Sequence, residues 1–288
     1  MKIQRDFFPG SKWIYIKIYT GIKTAEEILT NEIYNFIQKL SKKSIIDKWF
    51  FIRYADPNNH IRLRLLLFNE KDIGTVLNIL NRMLKNRIGI TIWKIQIDTY
   101  TRELERYSPK LIEHTESIFH FNSISVLSIL RNINSSDENY RWMAGLKIID
   151  DLLSNFNLDY KSKSLLLLEV SNSFKLEFNC KDMTLFKKKY RQFESLIKVV
   201  FDKENIEHEF HKLILPISLH SSEILIIGEK INKMSSTSVS MKNFLIHHIH
   251  MIMNRLFISK NRHYELVLYD LLCKYYVSKV ARDNRQIR

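Results

Sequence analysis

The sequence predicts an α+β fold, with an N-terminal mixed sheet covered by helices and a mostly helical C-terminal half. Strand-like alternation of apolar and polar residues is confined to the first 106 positions, and helical periodicity runs almost without interruption from residue 107. The 288 residues include only 6 Gly and 4 Pro, with no linker rich in Pro, Gly or Ser. We therefore expect a single domain over 1–288, made of an α+β half, 1–106, and a helical half, 107–288.

In the α+β half, the elements follow from hydrophobic periodicity and from helix-start signals. Residues 12–20 alternate as a first strand, and Thr24 followed three positions later by Glu27 is a capping-box pattern that predicts a helix over 25–41. Apolar residues at helical spacing predict a second helix over 72–85. Further strands are predicted over 48–54, 60–68 and 91–100.

In the helical half, apolar residues recur at the spacing of helices that bury one face. The predicted helices span 108–118, 122–134, 138–156, 161–175, 182–201, 204–213, 217–234, 240–256 and 261–281. A run of hydroxyl-bearing residues, Ser235–Ser238, predicts a short loop before the last two helices. No internal repeat or low-complexity tract interrupts this pattern.

The composition indicates a cytoplasmic protein with a full hydrophobic core. Hydrophobic residues make up 45% of the chain, yet the longest apolar runs, such as 165–168 and 224–227, are too short to cross a bilayer. The N-terminus carries an acid at Asp6 and has no apolar signal region. Cys180 and Cys273 are far apart with no metal-ligating neighbours, which indicates buried thiols and not a disulfide framework or zinc site.

The net charge of +14, from 45 Lys and Arg against 31 Asp and Glu, raises the question of an acidic partner. The positive residues are dispersed along the chain, and the densest cluster is Lys187, Lys188 and Lys189 with Arg191. No RNA-binding fingerprint or zinc-finger spacing occurs. The sequence therefore predicts no direct contact with nucleic acid, and the charge is available to attract an acidic peptide or a partner complex.

The most informative segment, residues 49–65, contains two strand-like runs joined by a turn with Pro and two Asn. Arg62 and Arg64 are two apart on the second strand, so their side chains lie on one face while the apolar residues between them face a core. Two guanidiniums this close favour an anion between them, and the planar fork of Arg suits a carboxylate or phosphate. A solvated surface pair is the alternative. The pair lies between His60 and a wholly apolar stretch, 65–68, and this context favours a partly buried anion site. Arg53 on the preceding strand belongs to the same group of charged residues.

A second charged group follows the predicted strand 91–100. Glu103 and Arg106 are three apart and share a face if the segment is helical, and Arg102 lies beside them. A local ion pair that only ends the strand is an equally acceptable explanation of this segment by itself.

A third group lies in residues 247–256. His250 and Asn254 are four apart on one face of a predicted helix, His247 lies close to the same stripe, and Arg255 follows. Two His at this spacing without the Glu of a zinc-protease motif do not predict a metal site. No Ser nucleophile elbow, P-loop or dinucleotide-binding fingerprint occurs in the chain.

Taken in order, these three motifs resemble the C-terminal elimination domain of class I lantibiotic dehydratases, a family also described under thiopeptide-type bacteriocin biosynthesis. The resemblance rests on W-F-F-I-R-Y-x-D-P-x-x-H-I-R-L-R, then R-E-x-E-R-Y, then H-M-x-x-N-R-L. It extends over nearly the whole chain, from Trp13 to about Tyr276.

The resemblance implies a lyase that removes glutamate from a glutamylated Ser or Thr of a ribosomally made precursor peptide, leaving dehydroalanine or dehydrobutyrine. Carried onto the matching positions, it implies catalytic roles for His250, Arg62, Arg64, Arg106 and Glu103. It implies substrate binding by Arg53, His60, Arg102, Asn254 and Arg255. Whether His250 acts as base or acid stays open, because His titrates near neutral pH and serves both roles.

The family also implies which partners to expect. A separate large domain first glutamylates the peptide with glutamyl-tRNA, and because this chain has no room for that domain we expect it to act in trans with a separate glutamylation enzyme. No cofactor is expected, because side chains alone can run an elimination. Homodimerisation stays open.

Two other functions fit the same fold. One is the aza-cycloaddition that forms a pyridine ring in thiopeptides, although such relatives tend to lose the arginines that hold glutamate and this chain keeps them. The other is a non-catalytic peptide-binding subunit of a modification complex, against which the full set of Arg and His residues argues.

Overall fold

The computed structural model describes residues 3–133, 138–180, 182, 184–202, 209–234 and 239–286. The chain divides into two compact units, one combining 1–131 with 235–244 and the other combining 132–234 with 245–288. All described strands lie in the first unit, and the described part of the second is helical. The predicted fold class is confirmed. The predicted loop over 235–238 and the start of the predicted helix 204–213 lie outside the described residues.

The sheet-containing part of the first unit follows the predicted order of elements. These are β1 (Asp6–Phe7), β2 (Trp13–Thr20), α1 (Ile22–Ile28), α2 (Tyr34–Lys42), β3 (Ile46–Ala55), β4 (Asn59–Leu67), α3 (Ile73–Leu84), β5 (Ile92–Asp98), β6 (Tyr100–Thr101), α4 (Leu104–Tyr107) and α5 (Ile112–Asn132). A π-helical turn, Leu29–Ile33, joins α1 to α2, and a 3₁₀ turn, Glu70–Asp72, precedes α3.

The main sheet has four strands in the order β3-β4-β2-β5. Its pairings between these strands are all antiparallel, where the sequence analysis predicted a mixed sheet. The tight turn between β3 and β4 dictates this, because a connection of a few residues can only join antiparallel neighbours. Strands β1 and β6 form a separate antiparallel pair.

One face of the main sheet packs on the core of the first unit. Ile61 and Leu63 are fully buried and alternate with the less buried Arg62 and Arg64, which confirms the alternation predicted for β4. In β2 every residue except Lys17 is buried, so the alternation predicted there does not appear as a difference in burial. Helices α1 to α3 and the π-helical turn contribute a matching apolar set. Its buried members are Ile28, Leu29, Ile33, Phe36, Leu40, Val76, Leu80 and Leu84. Burial of each such side chain stabilises the fold by about 1.5–3 kcal/mol.

Helix α1 begins at Ile22, earlier than predicted, and the capping box at Thr24 is wrong. The residue that precedes the helix is Gly21, whose carbonyl accepts the first helical hydrogen bond. Strand β2 ends at Thr20, whose hydroxyl donates to the Thr91 carbonyl at 2.8 Å. This tertiary hydrogen bond fixes where the chain leaves the strand, so the helix starts directly behind it.

Helix α5 is continuous where the sequence predicted two helices, 108–118 and 122–134. Asn122 and Ser123, which look like a helix start in the sequence, are buried inside it. The Ser123 hydroxyl accepts a hydrogen bond from the Phe51 N–H of β3 at 3.4 Å. A polar pair in mid-helix is tolerated here because it serves the neighbouring sheet.

The second unit is built from helices that match most of the predicted ones within a few residues. They are α6 (Glu138–Asn155), α7 (Tyr160–Glu177), α8 (Thr184–Phe201), α9 (Glu209–Ser218), α10 (Ser221–Lys233), α11 (Met241–Leu256), whose first turn belongs to the first unit, and α12 (Asn261–Gln286). Helix α9 continues through Pro216 to Ser218, past its predicted end at 213. Helix α10 then begins at Ser221 and not at 217 as predicted.

Within the described residues, no single helix is both long and apolar enough to cross a membrane. The bent pair α9 and α10 meets the length and composition criterion only when the two helices are combined across a 44° bend.

Candidate active site

Arg62 and Arg64 lie on the face of the sheet opposite the core. Directly paired residues of antiparallel strands share a face. By this register, Lys17 of β2 lies beside Arg62, while Tyr15 of β2 and Phe50 of β3 lie on either side of Arg64. Arg62 and Arg64 thus lie on one face of the sheet, as predicted, and the residues around them are basic and aromatic.

Arg62 is held from two directions. Its guanidinium carbon lies 3.4 Å from the ring centroid of Tyr54, and its Nε–H donates to His60 Nε2 at 3.0 Å. His60 Nδ1 lies 2.8 Å from the Asn58 carbonyl oxygen. A carbonyl can only accept, so Nδ1 carries the proton and Nε2 is free to accept from Arg62. His60 therefore orients Arg62 by accepting its Nε–H, and the imidazole must be neutral to accept this hydrogen bond.

The pKa of His60 agrees with this arrangement. Burial lowers it below the usual 6.5, and the nearby charges of Arg62 and Lys17 act in the same direction, although the hydrogen bond with Asn58 opposes them. The neutral imidazole is thus the favoured form at pH 7, which leaves the outer nitrogens of Arg62 to meet a ligand.

Arg64 lies in an aromatic box. Its guanidinium carbon is 4.5 Å from the ring centroid of Tyr15, 5.0 Å from that of Tyr100 and 5.3 Å from that of Phe50. Aromatic faces attract a guanidinium, and this attraction becomes stronger where water is excluded. Among the described residues, the buried Nε of Arg64 has no hydrogen-bond acceptor. The aromatic rings attract the positive charge of Arg64, but they do not accept a hydrogen bond from its Nε–H, which can donate to a ligand.

Within the described ranges, no carboxylate oxygen lies within 4.0 Å of either guanidinium. The acid that reaches this face, Asp98 of β5, forms an ion pair with Lys17, and the hydrogen bond from Lys17 lowers the pKa of Asp98. The positive charge of Arg62 and Arg64 is consequently not neutralised by the protein itself. An anionic ligand fits this face.

Arg53 lies on the other face. It is paired in the register with Ile61, whose side chain is in the core, and its Nη2 donates to Glu26 Oε2 of α1 at 2.8 Å. Its side chain is only 10% exposed. The structure therefore does not bring Arg53 together with Arg62, and its predicted substrate-binding role has no geometric support.

Arg102 is buried in an ion pair inside the first unit. Its Nε and Nη2 each lie 2.7 Å from an oxygen of Glu116 in α5, and its Nη1 donates to the Gln4 carbonyl at 3.1 Å. Tyr100 also donates to Glu116, at 2.8 Å. These groups satisfy one another's charges and hydrogen bonds, which is the pattern of a structural ion pair. Arg62 and Arg64 of β4 differ, because no carboxylate of the described residues pairs with them.

We expect Glu116→Gln to destabilise the first unit by about 3–5 kcal/mol, because it leaves the buried Arg102 charge uncompensated. Urea unfolding of the purified variant measures this change. Glu105→Gln is the matched control, since Glu105 forms an exposed pair with Arg5 in the same unit. An equal shift of the urea midpoint in both variants would contradict the structural role of the buried pair.

Arg106 and Glu103 form the short-range pair predicted from their spacing. Arg106 Nη1 lies 3.0 Å from Glu103 Oε2, across the first turn of α4. Their side chains are 44% and 58% exposed, so the contact is weak and easily exchanged for a ligand. The predicted catalytic roles of both residues stay predictions.

His250 belongs to the second unit, on α11. Its Nδ1 lies 2.7 Å from Glu265 Oε1 of α12, and the side chain of Glu265 is fully buried while that of His250 is 30% exposed. A buried carboxylate on one ring nitrogen orients an imidazole and leaves the other nitrogen for proton transfer. Tyr269 lies 3.4 Å from the second oxygen of Glu265.

The remaining polar residues of α11 have different environments. Arg255 is fully buried and its Nη1 donates to the Met251 carbonyl at 2.9 Å, whereas Asn254 is half-buried. His248 is also fully buried, and burial, helped by the charges of Arg255 and His247, lowers its pKa to about 3. The burial of Arg255 therefore gives no support to a direct contact between its guanidinium and a substrate. Substrate binding by Asn254 stays a prediction.

Among the described residues, no group of three or more His, Cys, Asp or Glu side chains is placed to hold a metal ion. Both cysteines are free thiols, and of the two Cys273 is buried while Cys180 is half-buried. By their chemistry, Arg62 and Arg64 of the first unit can bind an anion, and His250 of the second unit can transfer a proton.

A family model described as the C-terminal part of lantibiotic biosynthesis dehydratases matches residues 13–276. This chain belongs to that family. The match covers all three motifs, and it places the arginine face and His250 in a protein related to lantibiotic dehydratases.

Two curated relatives support the same assignment. The nisin biosynthesis protein NisB of Lactococcus lactis subsp. lactis is 34% identical over 142 residues, which cover 48% of this chain and 14% of NisB. The subtilin biosynthesis protein SpaB of Bacillus subtilis is 30% identical over 183 residues, covering 62% of this chain and 18% of SpaB. The chain thus matches less than a fifth of the length of these two biosynthesis proteins.

Solved structures show the same fold at low sequence identity. The tRNA-dependent lantibiotic dehydratase MibB from Microbispora sp. 107891 aligns with a TM-score of 0.75 and 16% identity, covering 95% of this chain and 29% of that one. The pyridine synthase TbtD from thiomuracin biosynthesis aligns with a TM-score of 0.57 and 11% identity, covering 93% of this chain and 98% of that one.

Sequence reasoning missed two groups that the lantibiotic dehydratase fold places at these sites. Lys17 joins the arginine face through the β2–β4 register, and its alternation with Tyr15 was the available signal. Glu265 orients His250 from the next helix, and no local pattern in the sequence indicates that contact.

Proposed function

We propose that this chain eliminates glutamate from glutamylated Ser or Thr residues of a ribosomally made precursor peptide, producing dehydroalanine or dehydrobutyrine. The glutamyl group is supplied by a separate activity that uses glutamyl-tRNA. Membership in the dehydratase family supports the class of reaction, and the arginine face supports this particular step.

The step has simple chemical requirements. A base takes the proton from Cα of the modified residue, a double bond forms between Cα and Cβ, and the Cβ–O bond breaks so that its electrons leave with the ester carboxyl of glutamate. The departing group is an anion and carries another free carboxylate. Arg62, Arg64 and Arg106 bind this group, and His250 transfers the proton. Glu103 orients the Arg106 guanidinium, with which it forms an ion pair, or acts on a proton.

The observation that carries this proposal is the pair of guanidiniums on β4. Arg62 is held by His60 and Tyr54, Arg64 is surrounded by aromatic rings, and neither has a carboxylate partner within the described residues. Orienting charges before the substrate arrives is how a site stabilises charge that develops in a reaction. A glutamate leaving group suits such a site because carboxylates match the Arg fork.

The proposal is tested by incubating the purified protein with a precursor peptide that carries a glutamylated Ser, followed by mass spectrometry. We expect loss of the whole glutamate and a dehydro residue at that position. The unmodified peptide serves as the control and stays unchanged. An intact glutamyl adduct, obtained with folded protein and with the glutamylation enzyme also present, contradicts the proposal.

The same assay separates the two other functions. A peptide of thiopeptide type with two dehydroalanines would be cyclised by a pyridine-forming enzyme, and a peptide-binding subunit would retain either peptide without changing its mass. The fold shared with TbtD is compatible with cycloaddition, but the arginine pair favours the elimination.

His60 offers a test that distinguishes positioning from direct binding. We expect His60→Ala to raise KM for the glutamylated peptide about tenfold or more, because Arg62 loses the acceptor that orients it. His60→Gln keeps an acceptor and a donor without titrating, so it should restore most of the activity. Wild-type activity should decrease as the pH falls through the lowered pKa of His60, since protonation removes the acceptor.

The pH profile of His60→Gln is the decisive comparison, with KM and kcat measured separately between pH 5 and 8. An acidic decrease in kcat/KM that is unchanged in this variant would show that another group, such as His250, is responsible. Equal losses in His60→Ala and His60→Gln would contradict the positioning role.

A further inference from the structure

The two outer strands of the main sheet differ in how their free edges are covered. On β3, the N–H groups of Trp49 and Phe51 donate to His120 Nδ1 at 3.1 Å and to Ser123 Oγ at 3.4 Å, both on α5. On β5, the strand at the opposite edge, the only described backbone partner of residues 93–98 is β2. An edge without a cover can pair with another strand.

The side chains of β5 make this edge unusual. On the core face, apolar groups that should be protected are substantially exposed: Ile95 is 36% and Ile97 41% exposed. Trp93, at the register shift, is 57% exposed. The preceding turn adds Ile88 and Ile90, exposed by 42% and 80%. Edges in isolated proteins are commonly protected by charged residues, Pro or bulges. Strand β5 has Lys94 and a register shift next to it, but the apolar residues of its other face stay exposed and indicate a surface that meets a partner.

We propose that β5 is an interaction surface that pairs with β5 of a second copy of this chain. The strands run antiparallel about a two-fold axis that is perpendicular to the sheet and passes midway between the two copies of Gln96, which face each other. Lys94 then faces Asp98 of the second copy, and Ile95 faces Ile97 of the second copy. The opposite charges meet on one face and the exposed isoleucines meet on the other.

The sequence of the strand selects this register over its neighbours. Paired residues must share a face, so one residue of the strand has to face its own copy at the centre of the pairing. If Ile95 faced its own copy, Lys94 would pair with Gln96, and if Ile97 did so, Gln96 would pair with Asp98. Only the register in which Gln96 faces its own copy joins both charged residues to opposite charges.

The pairing has a consequence for the arginine face. Residues paired across antiparallel strands keep the same face, so the two four-stranded sheets form one eight-stranded sheet. Arg62 and Arg64 of both copies then lie on the same side of it. This inference rests on the edge of the sheet alone and does not depend on the proposed reaction.

Cysteine cross-linking tests the register directly. In a Cys180→Ser, Cys273→Ala background, we expect Gln96→Cys to give, on oxidation, a disulfide-linked species of twice the 34.6 kDa chain mass. Lys94→Cys in the same background is the matched control. Its two copies would lie about 13 Å apart along the strands, beyond the reach of a disulfide. Mixing Lys94→Cys with Asp98→Cys should again give a cross-linked species.

Sedimentation equilibrium of the wild type and of Ile97→Lys completes the test. The wild type should associate to dimers with increasing concentration, and Ile97→Lys should stay monomeric while its circular dichroism shows a folded chain. A wild type that stays monomeric at about 100 μM, where an interface with a Kd of about 1 μM would be almost fully associated, would overturn the proposal. Equal cross-linking of Gln96→Cys and Lys94→Cys would overturn the register.

Discussion

Replacing Arg62 by Lys is expected to stop the reaction at the glutamylated peptide, lowering kcat/KM for elimination by about 10²-fold or more. Lys keeps the positive charge but loses the planar fork, the Nε–H that donates to His60 at 3.0 Å and the stacking on Tyr54 at 3.4 Å. Mass spectrometry of the precursor peptide should therefore show the glutamyl adduct accumulating where the wild type gives a dehydro residue. Arg64→Lys should act in the same direction.

The matched control is Arg82→Lys. Arg82 is an exposed arginine of α3 whose described hydrogen bond is to the Asn78 carbonyl at 3.4 Å. This substitution changes the same chemical group at a site without an anion-binding arrangement, so dehydration should proceed at the wild-type rate. Wild-type conversion by Arg62→Lys would refute the assignment of Arg62 as an anchor for the leaving glutamate.

His250→Asn is expected to reduce the rate of elimination by roughly 10²–10⁴-fold, the usual contribution of a general acid or base. Asn has a similar shape at the first carbons but cannot transfer a proton in this pH range. Glu265→Gln should give a smaller reduction, because the amide oxygen can still orient the His250 ring while the negative charge is lost. Single-turnover conversion of a glutamylated peptide measures the chemical step without product release.

His263→Asn is the control for this pair. His263 is exposed on α12, and its ring lies tilted against that of Phe178 with ring centroids 4.6 Å apart. Its removal should leave the single-turnover rate unchanged. A His250→Asn variant that is folded and converts the peptide at the wild-type rate would remove His250 from the mechanism, and the proposal would then rest on the arginine face.

The features that could be predicted from the sequence are those fixed by local periodicity. Alternation placed Arg62 and Arg64 on one face because a strand repeats every two residues, and the spacing of Glu103 and Arg106 gave their ion pair. The fold class followed in the same way. Helix α5 was predicted as two pieces because Asn122 and Ser123 resemble a helix start, and only the contact of Ser123 with β3 shows why they lie in mid-helix.

The rest of the candidate site depends on contacts between distant residues. Arg53 was grouped with Arg62 because they are close in sequence, but the hairpin register puts its side chain in contact with Glu26 on the core side. Arg102 looked like a substrate ligand until its partner Glu116 was seen in α5. Periodicity carries no information about such pairings, so charged residues near a motif could not be sorted into structural and functional ones.

The way in which Arg62 is held also affects the end of the catalytic cycle. A free Arg side chain carries about 2 kcal/mol of rotamer entropy, and the contacts with His60 and Tyr54 remove much of this freedom during folding. A site oriented in advance binds the glutamate product with the same advantage as the glutamyl ester. In the proposed reaction, the contacts that favour capture of the glutamyl ester therefore also slow the release of free glutamate.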